Sequence, residues 1–174
     1  MGRFFSLVQI KNNGSREQFL KAFCDVMKKR SLVPCSEKES SVSYILAFSE
    51  SGKWVTLASK EYRDNPKQVK DDAKQTAAEM KTSSFSMDVV DSDWTYIELH
   101  TGADVHDTVM VGRSEFDEEH SPKGRRECWE PILAPGKTWE QISEIWNKNE
   151  VFVEDALYEA ASVLGIEPKY MVSD

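Results

Sequence analysis

The part of the sequence richest in side chains capable of chemistry runs from Val89 to Gly102, "VVDSDWTYIELHTG". Two aspartates flank a serine, an aromatic run follows, and a glutamate and a histidine close the stretch. Carboxylates, a hydroxyl and an imidazole are the groups that serve in acid–base catalysis and in metal coordination. The same residues are also typical of a β-hairpin, in which Asp91 and Asp93 stabilise the turn by bonding to nearby backbone.

The alternation in "WTYIELH" favours the hairpin interpretation. Residues two apart lie on the same face of a strand, so Thr95, Ile97 and Leu99 are predicted to face the core. The other face either meets water or forms a polar and aromatic binding surface. Its four candidate binding residues are Trp94, Tyr96, Glu98 and His100.

A metal site beside this strand would use four side chains around one predicted turn: His100, Asp104, His106 and Asp107. Imidazole and carboxylate form a mixed ligand set for divalent metals. However, His100 and His106 lie on separate predicted strands, and no HExxH or HxxxH spacing places two histidines on one helical face. We therefore predict no metal and no cofactor. A small hydrolase or metal-dependent enzyme around His100 and His106 is the alternative.

Other common catalytic motifs are missing from the sequence. It contains no GxSxG elbow, no GxxxxGK[ST] loop and no GxGxxG loop. The three cysteines, Cys24, Cys35 and Cys128, are scattered and form no CxxC pair. This spacing is typical of reduced thiols in a cytoplasmic protein rather than of a disulfide or zinc framework. Because the apolar runs are also too short to cross a bilayer, a cytoplasmic location without membrane contact is expected.

Charge is distributed unevenly along the chain. Residues 1–82 hold 15 Lys and Arg against 10 Asp and Glu, whereas residues 83–174 hold 7 against 20. Nucleic acid is not the expected partner, because binding to its phosphates needs a basic patch. The acidic second half of the chain instead favours a basic protein as the partner. The densest acidic point is "EFDEEH", where mutual repulsion is relieved only if a positive group lies near. Its carboxylates are Glu115, Asp117, Glu118 and Glu119.

One tryptophan stands in an irregular and highly charged segment. Trp129 lies within "KGRRECWEPILAPGKTW", which has both signs of charge and two prolines. Aromatic side chains in such segments are typical anchors of protein interfaces. The alternative is that Trp129 folds back and covers the sheet.

Four helices are predicted to position these residues. Ser15 and Thr138 each precede a helical run with a glutamine three residues further on, which is the capping-box pattern. Pro66 suits the first position of another helix. The last helix lies in "VFVEDALYEAASVLGI", where Gly165 fits a left-handed C-cap.

Six strands are predicted around these helices. They lie in "FFSLVQI", "SYILAF", "KWVTLAS", "SFSMDVV", "WTYIELH" and "DTVMVG". The resulting fold is α+β, a single domain over residues 1–174 with helices packed on an antiparallel sheet. Its first six elements follow the βαββαβ order of a ferredoxin-like core, extended by two strands and two C-terminal helices. Because a helix-plus-hairpin unit occurs twice, an α-β-β repeat of another α+β layout stays open. Residues 114–137 show no periodic pattern and are either a functional loop or a mobile connection.

The phrases "GKWVTLAS", "VVDSDWTYIEL" and "VFVEDALYEAASVLGI" resemble a set of uncharacterised, small, acidic intracellular bacterial α+β proteins across residues 40–166. Some proteins of this style are immunity proteins, which bind and neutralise toxins. The resemblance implies a shared fold and brings no catalytic residue with it. With the charge pattern, it favours a non-catalytic protein-binding module that uses an acidic surface in the second half of the chain. A structural or regulatory subunit is a further alternative.

Overall fold

The computed structural model describes residues 4–33, 44–102, 104–112, 122–148 and 152–172. Within these ranges the strands are β1 (Phe5–Lys11), β2 (Tyr44–Phe48), β3 (Trp54–Ser59), β4 (Ser83–Val90), β5 (Trp94–Thr101) and β6 (Asp104–Gly112). The helices are α1 (Arg16–Lys29), α2 (Glu61–Asp64), α3 (Pro66–Met80), α4 (Arg126–Trp129), α5 (Trp139–Trp146) and α6 (Val153–Leu164). Two 3-10 turns, Glu130–Ile132 and Pro168–Tyr170, follow α4 and α6.

The six strands form one antiparallel sheet in the order β2-β3-β1-β4-β5-β6. β1 and β2 point the same way and are separated by β3, with α1 crossing between them. β3 and β4 are likewise separated by β1, and α2 and α3 make that crossing. This is the split βαβ arrangement of a ferredoxin-like core, which β5 and β6 extend beyond β4. The predicted α+β fold with an antiparallel sheet is confirmed.

The long helices α1 and α3 cover one face of the sheet. Alternate residues of β1 and β3 point into this layer and meet the apolar stripes of both helices. Phe23, which the helical spacing predicts to be a core residue, is buried here. The main members of this cluster are Val8, Ile10, Val55, Leu57, Phe19, Phe23, Val26, Met27 and Val69.

The C-terminal helices α4, α5 and α6 cover the opposite face. Ile97 and Leu99 of β5 point into this layer, as their alternation predicts, and both are buried. The sheet is therefore the middle of three layers, and each of its faces packs against helices. This second cluster includes Trp54, Phe85, Met87, Leu99, Trp129, Trp146 and Leu157.

The ends of the helices confirm the local signals of the sequence. The Ser15 hydroxyl accepts from the Gln18 amide at 3.2 Å, and the Gln18 side chain accepts from the Ser15 amide at 2.8 Å. Thr138 forms the same capping box ahead of α5. Pro66 takes the first position of α3, and Gly165 ends α6 with φ at 77°. None of these described helices has the length and apolar character that a membrane span requires.

The segment 114–137 differs from its prediction where it is described. Residues 122–137 contain α4 and a 3-10 turn, although no periodic pattern marks them. A helix of four residues makes barely one turn, which is too short for an apolar period to repeat.

Candidate functional site

The residues of β5 divide between the two faces of the sheet as the alternation predicts. Thr95, Ile97 and Leu99 lie on the side of α4–α6. The four candidates Trp94, Tyr96, Glu98 and His100 lie on the side of α1 and α3, opposite Val90, Asp88, Ser86 and Ser84 of β4. Because helices cover both faces, this second side of β5 is only partly open to solvent.

Glu98 and His100 lie beneath α3. The Lys70 ammonium of α3 donates to Glu98 Oε1 at 2.5 Å and lies 4.7 Å from the centre of the Tyr96 ring. His100 Nε2 lies 3.8 Å from Glu98 Oε2. His100 is 1% exposed and Glu98 is 9% exposed, so the prediction that they lie on an open face is wrong. Trp94 and Tyr96 remain partly exposed at the edge of the helical cover.

Burial also sets the charge of His100. It lowers the pKa of the imidazole from its ordinary value of 6.5, and Lys74 and Lys70 act in the same direction. Glu98 and the backbone of Asp104 oppose this shift without reversing it. Neither ring nitrogen has a hydrogen-bond partner of normal geometry among the described residues. The imidazole is therefore neutral at pH 7 and shielded from any substrate in solution, whereas a general base must reach the proton that it removes.

The proposed metal ligands do not converge. His106 is exposed, whereas His100 is enclosed beneath α3. Asp107 is bound elsewhere, because its carboxylate accepts from the Arg125 amide at 2.7 Å and from the Trp129 indole at 2.9 Å. Over the described part of the chain, no group of three or more His, Cys, Asp and Glu side chains is placed to hold a metal ion.

Trp129 is a core residue, and its prediction as an exposed interface anchor is wrong. Its ring packs 5.9 Å from Phe85 and 5.5 Å from Trp146, measured between centroids, and it is fully buried. The indole N–H donates to Asp107, which satisfies its polar group within the interior. Trp129 therefore folds back onto the sheet, which is the alternative that its sequence context leaves open.

The acidic cluster Glu115, Asp117, Glu118 and Glu119 lies outside the described residues, as do His120 and Cys35. Other carboxylates of the second half can be placed. Several of them pair with nearby cations: Glu130 and Glu140 with Arg126, and Glu159 with Lys148.

Three further carboxylates, Asp91, Asp93 and Asp155, are exposed and form no ion pair with any described residue. Two large aromatic side chains on or beside α6 are exposed as well, Phe152 at 55% and Tyr158 at 61%. We refer to these five residues as the acidic–aromatic surface. Unpaired negative charge beside exposed aromatic rings suits contact with a basic partner.

Hydrogen bonds fix the β4–β5 turn and the start of α6, which carry the acidic–aromatic surface. Asp91 and Ser92 have φ of 51° and 59°, and the Asp93 amide donates to the Val90 carbonyl at 3.1 Å, as in a type I′ turn. The Val153 amide of α6 donates to the Ser92 carbonyl at 2.9 Å, and the Ser92 hydroxyl donates to Glu154 at 2.6 Å. The turn and the start of α6 are thus held together through Ser92, which Asp91 and Asp93 flank in the chain.

The two aromatic residues of this surface were not predicted to be functional. A helical wheel carries the signal for Tyr158, because it falls outside the apolar positions 153, 157, 160, 161 and 164 of α6. Phe152 has no comparable signal, since it immediately precedes the apolar helix and resembles one of its core residues.

The chain matches no family model, and no curated protein or solved structure matches it. The resemblance to small acidic bacterial proteins therefore stays a prediction.

Proposed function

We propose that the protein is a non-catalytic binding module that recognises a basic protein through its acidic–aromatic surface. The observation that supports this most is that Asp91, Asp93 and Asp155 form no ion pair within the described ranges of the chain. They occur together with exposed Phe152 and Tyr158, around a turn that is hydrogen-bonded to the start of α6. Neutralisation of a toxin, as an immunity protein, is the form of this function that the sequence resemblance suggests.

The two kinds of residue have different roles in this proposal. When a partner covers them, exposed aromatic rings bury a large apolar area and lose little side-chain entropy. Phe152 and Tyr158 would therefore supply most of the binding energy. Carboxylates around them attract a cationic partner and raise the rate of association more than they lower the rate of dissociation. Because the turn and α6 are bonded to each other, little conformational freedom is lost when a partner binds.

The alternative, a hydrolase or metal-dependent enzyme around His100 and His106, has less support. His100 is enclosed between α3 and the sheet, while the side chain of His106 is exposed. The two imidazoles therefore do not face one substrate.

The experiment first captures a partner on the immobilised full chain and then measures its association rate at low and high salt. Asp91→Asn, Asp93→Asn and Asp155→Asn are combined in one variant, since asparagine tolerates the positive φ of residue 91. We expect association to slow severalfold at low salt and to lose most of its salt dependence. Phe152→Ala with Tyr158→Ala should chiefly speed dissociation.

A matched control changes charge equally elsewhere. Glu17→Gln, Glu61→Gln and Asp64→Asn neutralise three exposed carboxylates on the other helical layer. If this control slows association as much as the Asp91, Asp93 and Asp155 variant does, net charge alone is responsible and the proposed surface is wrong.

The carboxylates of residues 115–119 are tested separately. Changing Asp117, Glu118 and Glu119 together to lysine should also slow association at least severalfold if this segment contributes to the attraction, with the fold unchanged by circular dichroism. An association rate equal to that of the parent at low salt would restrict the interaction to the acidic–aromatic surface.

A further inference from the structure

A cleft of about 300 Å³ opens between the loop that joins β1 to α1 and the β2–β3 hairpin. It adjoins the start of β4, since Asn13 of this loop donates to Thr82 at 3.2 Å. The acidic–aromatic surface adjoins the other end of β4, where the strand enters the Asp91 turn. The two features therefore lie at opposite ends of the sheet.

The walls of the cleft are held together by Asn12, which is buried. Its amide donates to the Lys53 carbonyl at 2.8 Å, its side chain donates to the Gly52 carbonyl at 2.8 Å, and its side-chain oxygen accepts from the Gly14 amide at 3.1 Å. Two of these bonds join the loop to the hairpin and the third braces the loop itself, so the cleft is already formed before any ligand enters.

The charged groups that line the cleft are both cations. Arg16 lies over the Phe48 ring, with its guanidinium carbon 4.8 Å from the ring centre, and Lys53 stands on the facing hairpin. Neither cation forms an ion pair within the described residues. Glu50 belongs to the same hairpin but does not line the cleft, and its carboxylate lies 3.7 Å from Lys169.

A third cation, Lys11, lies close enough to Lys53 to be affected by its charge. Burial lowers the pKa of Lys11, and the charge of Lys53 lowers it further. The N-terminal end of the α1 dipole adds positive potential in the same direction. A negative ligand would relieve the repulsion between these cations.

We propose that this cleft binds a small ligand through a phosphate-like oxyanion. A guanidinium forms paired bonds to an oxyanion, and an ammonium provides a second point of attraction. The Ser51 hydroxyl on the same wall provides a neutral group to orient the ligand. The volume suits phosphate or a small phosphate ester. Two cations in one cleft do not make the extended basic stripe that a nucleic acid backbone needs.

The test is a titration of the full-length ¹⁵N-labelled protein with sodium phosphate, followed by amide chemical shifts. Sodium chloride at matched ionic strength is the reference. We expect saturable shifts at residues 12–16 and 49–53 with phosphate and none with chloride. Arg16→Gln and Lys53→Gln should each weaken binding roughly tenfold, because each removes a charge-assisted contact.

Exposed cations outside the cleft give the matched control. Arg63→Gln and Lys67→Gln remove the same charges from the α2–α3 region and should leave the affinity for phosphate unchanged. Equal weakening in both pairs of variants, or phosphate shifts that grow linearly without saturation, would overturn the proposal.

A second arm identifies the source of the oxyanion. Ribose 5-phosphate is titrated beside inorganic phosphate. Tighter binding of the ester supports a phosphorylated metabolite as the ligand, and equal affinity supports the free anion. Failure of both to saturate the cleft would contradict the proposal, while the protein-binding function at the other end of the sheet would be unaffected.

Discussion

At the residue scale, two buried polar groups differ in how the fold satisfies them. His100 has no hydrogen bond of normal geometry among the described residues, and its neutral state avoids the larger penalty of burying a charge. Asp72, by contrast, is buried with several hydrogen-bond donors around its carboxylate. Its carboxylate accepts from the Arg30 guanidinium, from the Tyr62 hydroxyl at 2.7 Å and from the side-chain amide of Gln68 at 2.7 Å.

The lowered pKa of His100 predicts a pH-dependent stability. As pH falls below 6.5, the ordinary value, the unfolded chain binds a proton at this residue while the native chain does not. The free energy of unfolding should therefore fall with pH from about 6.5 down to the native pKa, and be unaffected by this group at higher pH.

Chemical denaturation at a series of pH values tests this prediction. His100→Gln should flatten the fall in stability in that window, while His106→Gln, at an exposed position, should keep the slope of the parent. If the parent and His100→Gln show the same slope, the imidazole is not buried in its neutral form.

Asp72 gives a second prediction at this scale. Asp72→Ala should lower the free energy of unfolding by about 3 kcal/mol, because it leaves the Tyr62 hydroxyl without its acceptor and removes the carboxylate partner of Arg30, which then keeps its bond to the Tyr44 hydroxyl. Asp71→Ala, one position away and only half-buried, should change it by no more than about 0.5 kcal/mol. Urea titrations measure both, and equal losses would contradict the role of the buried carboxylate.

At the element scale, the local signals of the sequence predict most of the fold. Capping boxes at Ser15 and Thr138, and alternation in β5, depend on neighbouring residues, so they can be read without tertiary structure. The single-turn helices α2 and α4 are not predicted, since four residues carry no repeat. The succession of helices and strands is compatible with a ferredoxin-like core and with an α-β-β repeat, and only the pairing of the strands decides for the first.

Less of the candidate site could be predicted, because exposure depends on contacts between distant parts of the chain. Alternation assigns Glu98 and His100 to the correct face of β5, but only the packing of α3 across that face buries them. Trp129 is similarly placed by contacts with Phe85 and Trp146. The excess of acidic residues in the second half is visible in the sequence, whereas which carboxylates lack a cation is visible only in the fold.

Because both faces of the sheet carry a buried core, truncating a side chain in either core should destabilise the fold. Phe23→Ala and Ile97→Ala should each cost about 3 kcal/mol of stability, because each leaves a cavity in one of the two cores. Ile45→Ala on β2 is the control, since this side chain is 62% exposed and should lose little. Changes below about 0.5 kcal/mol at both buried positions would mean that the faces are wrongly assigned.

At the scale of the whole molecule, the proposed anion cleft and the acidic–aromatic surface are separated by the length of the sheet. The eight residues of β4 span about 26 Å, and charges are screened over about 8 Å at physiological ionic strength. The two proposed sites should therefore act independently.

This independence can be measured directly. The variant with Asp91, Asp93 and Asp155 changed to asparagine should bind phosphate with the affinity of the parent. A change beyond about twofold would show that the sites are coupled through the sheet, since coupling between sites is reciprocal.

The three layers also constrain how a newly synthesised chain matures. The sheet and the helices on one of its faces are complete once residue 112 has left the ribosome, but the opposite face is covered by helices that begin at residue 126. Until that last third emerges, Trp54, Phe85, Met87 and Leu99 form a bare apolar surface on an otherwise assembled sheet. Chains halted by a premature stop codon before α4 would keep this surface permanently. We expect such products to be retained by chaperones or degraded, because exposed apolar surface on incomplete chains promotes aggregation.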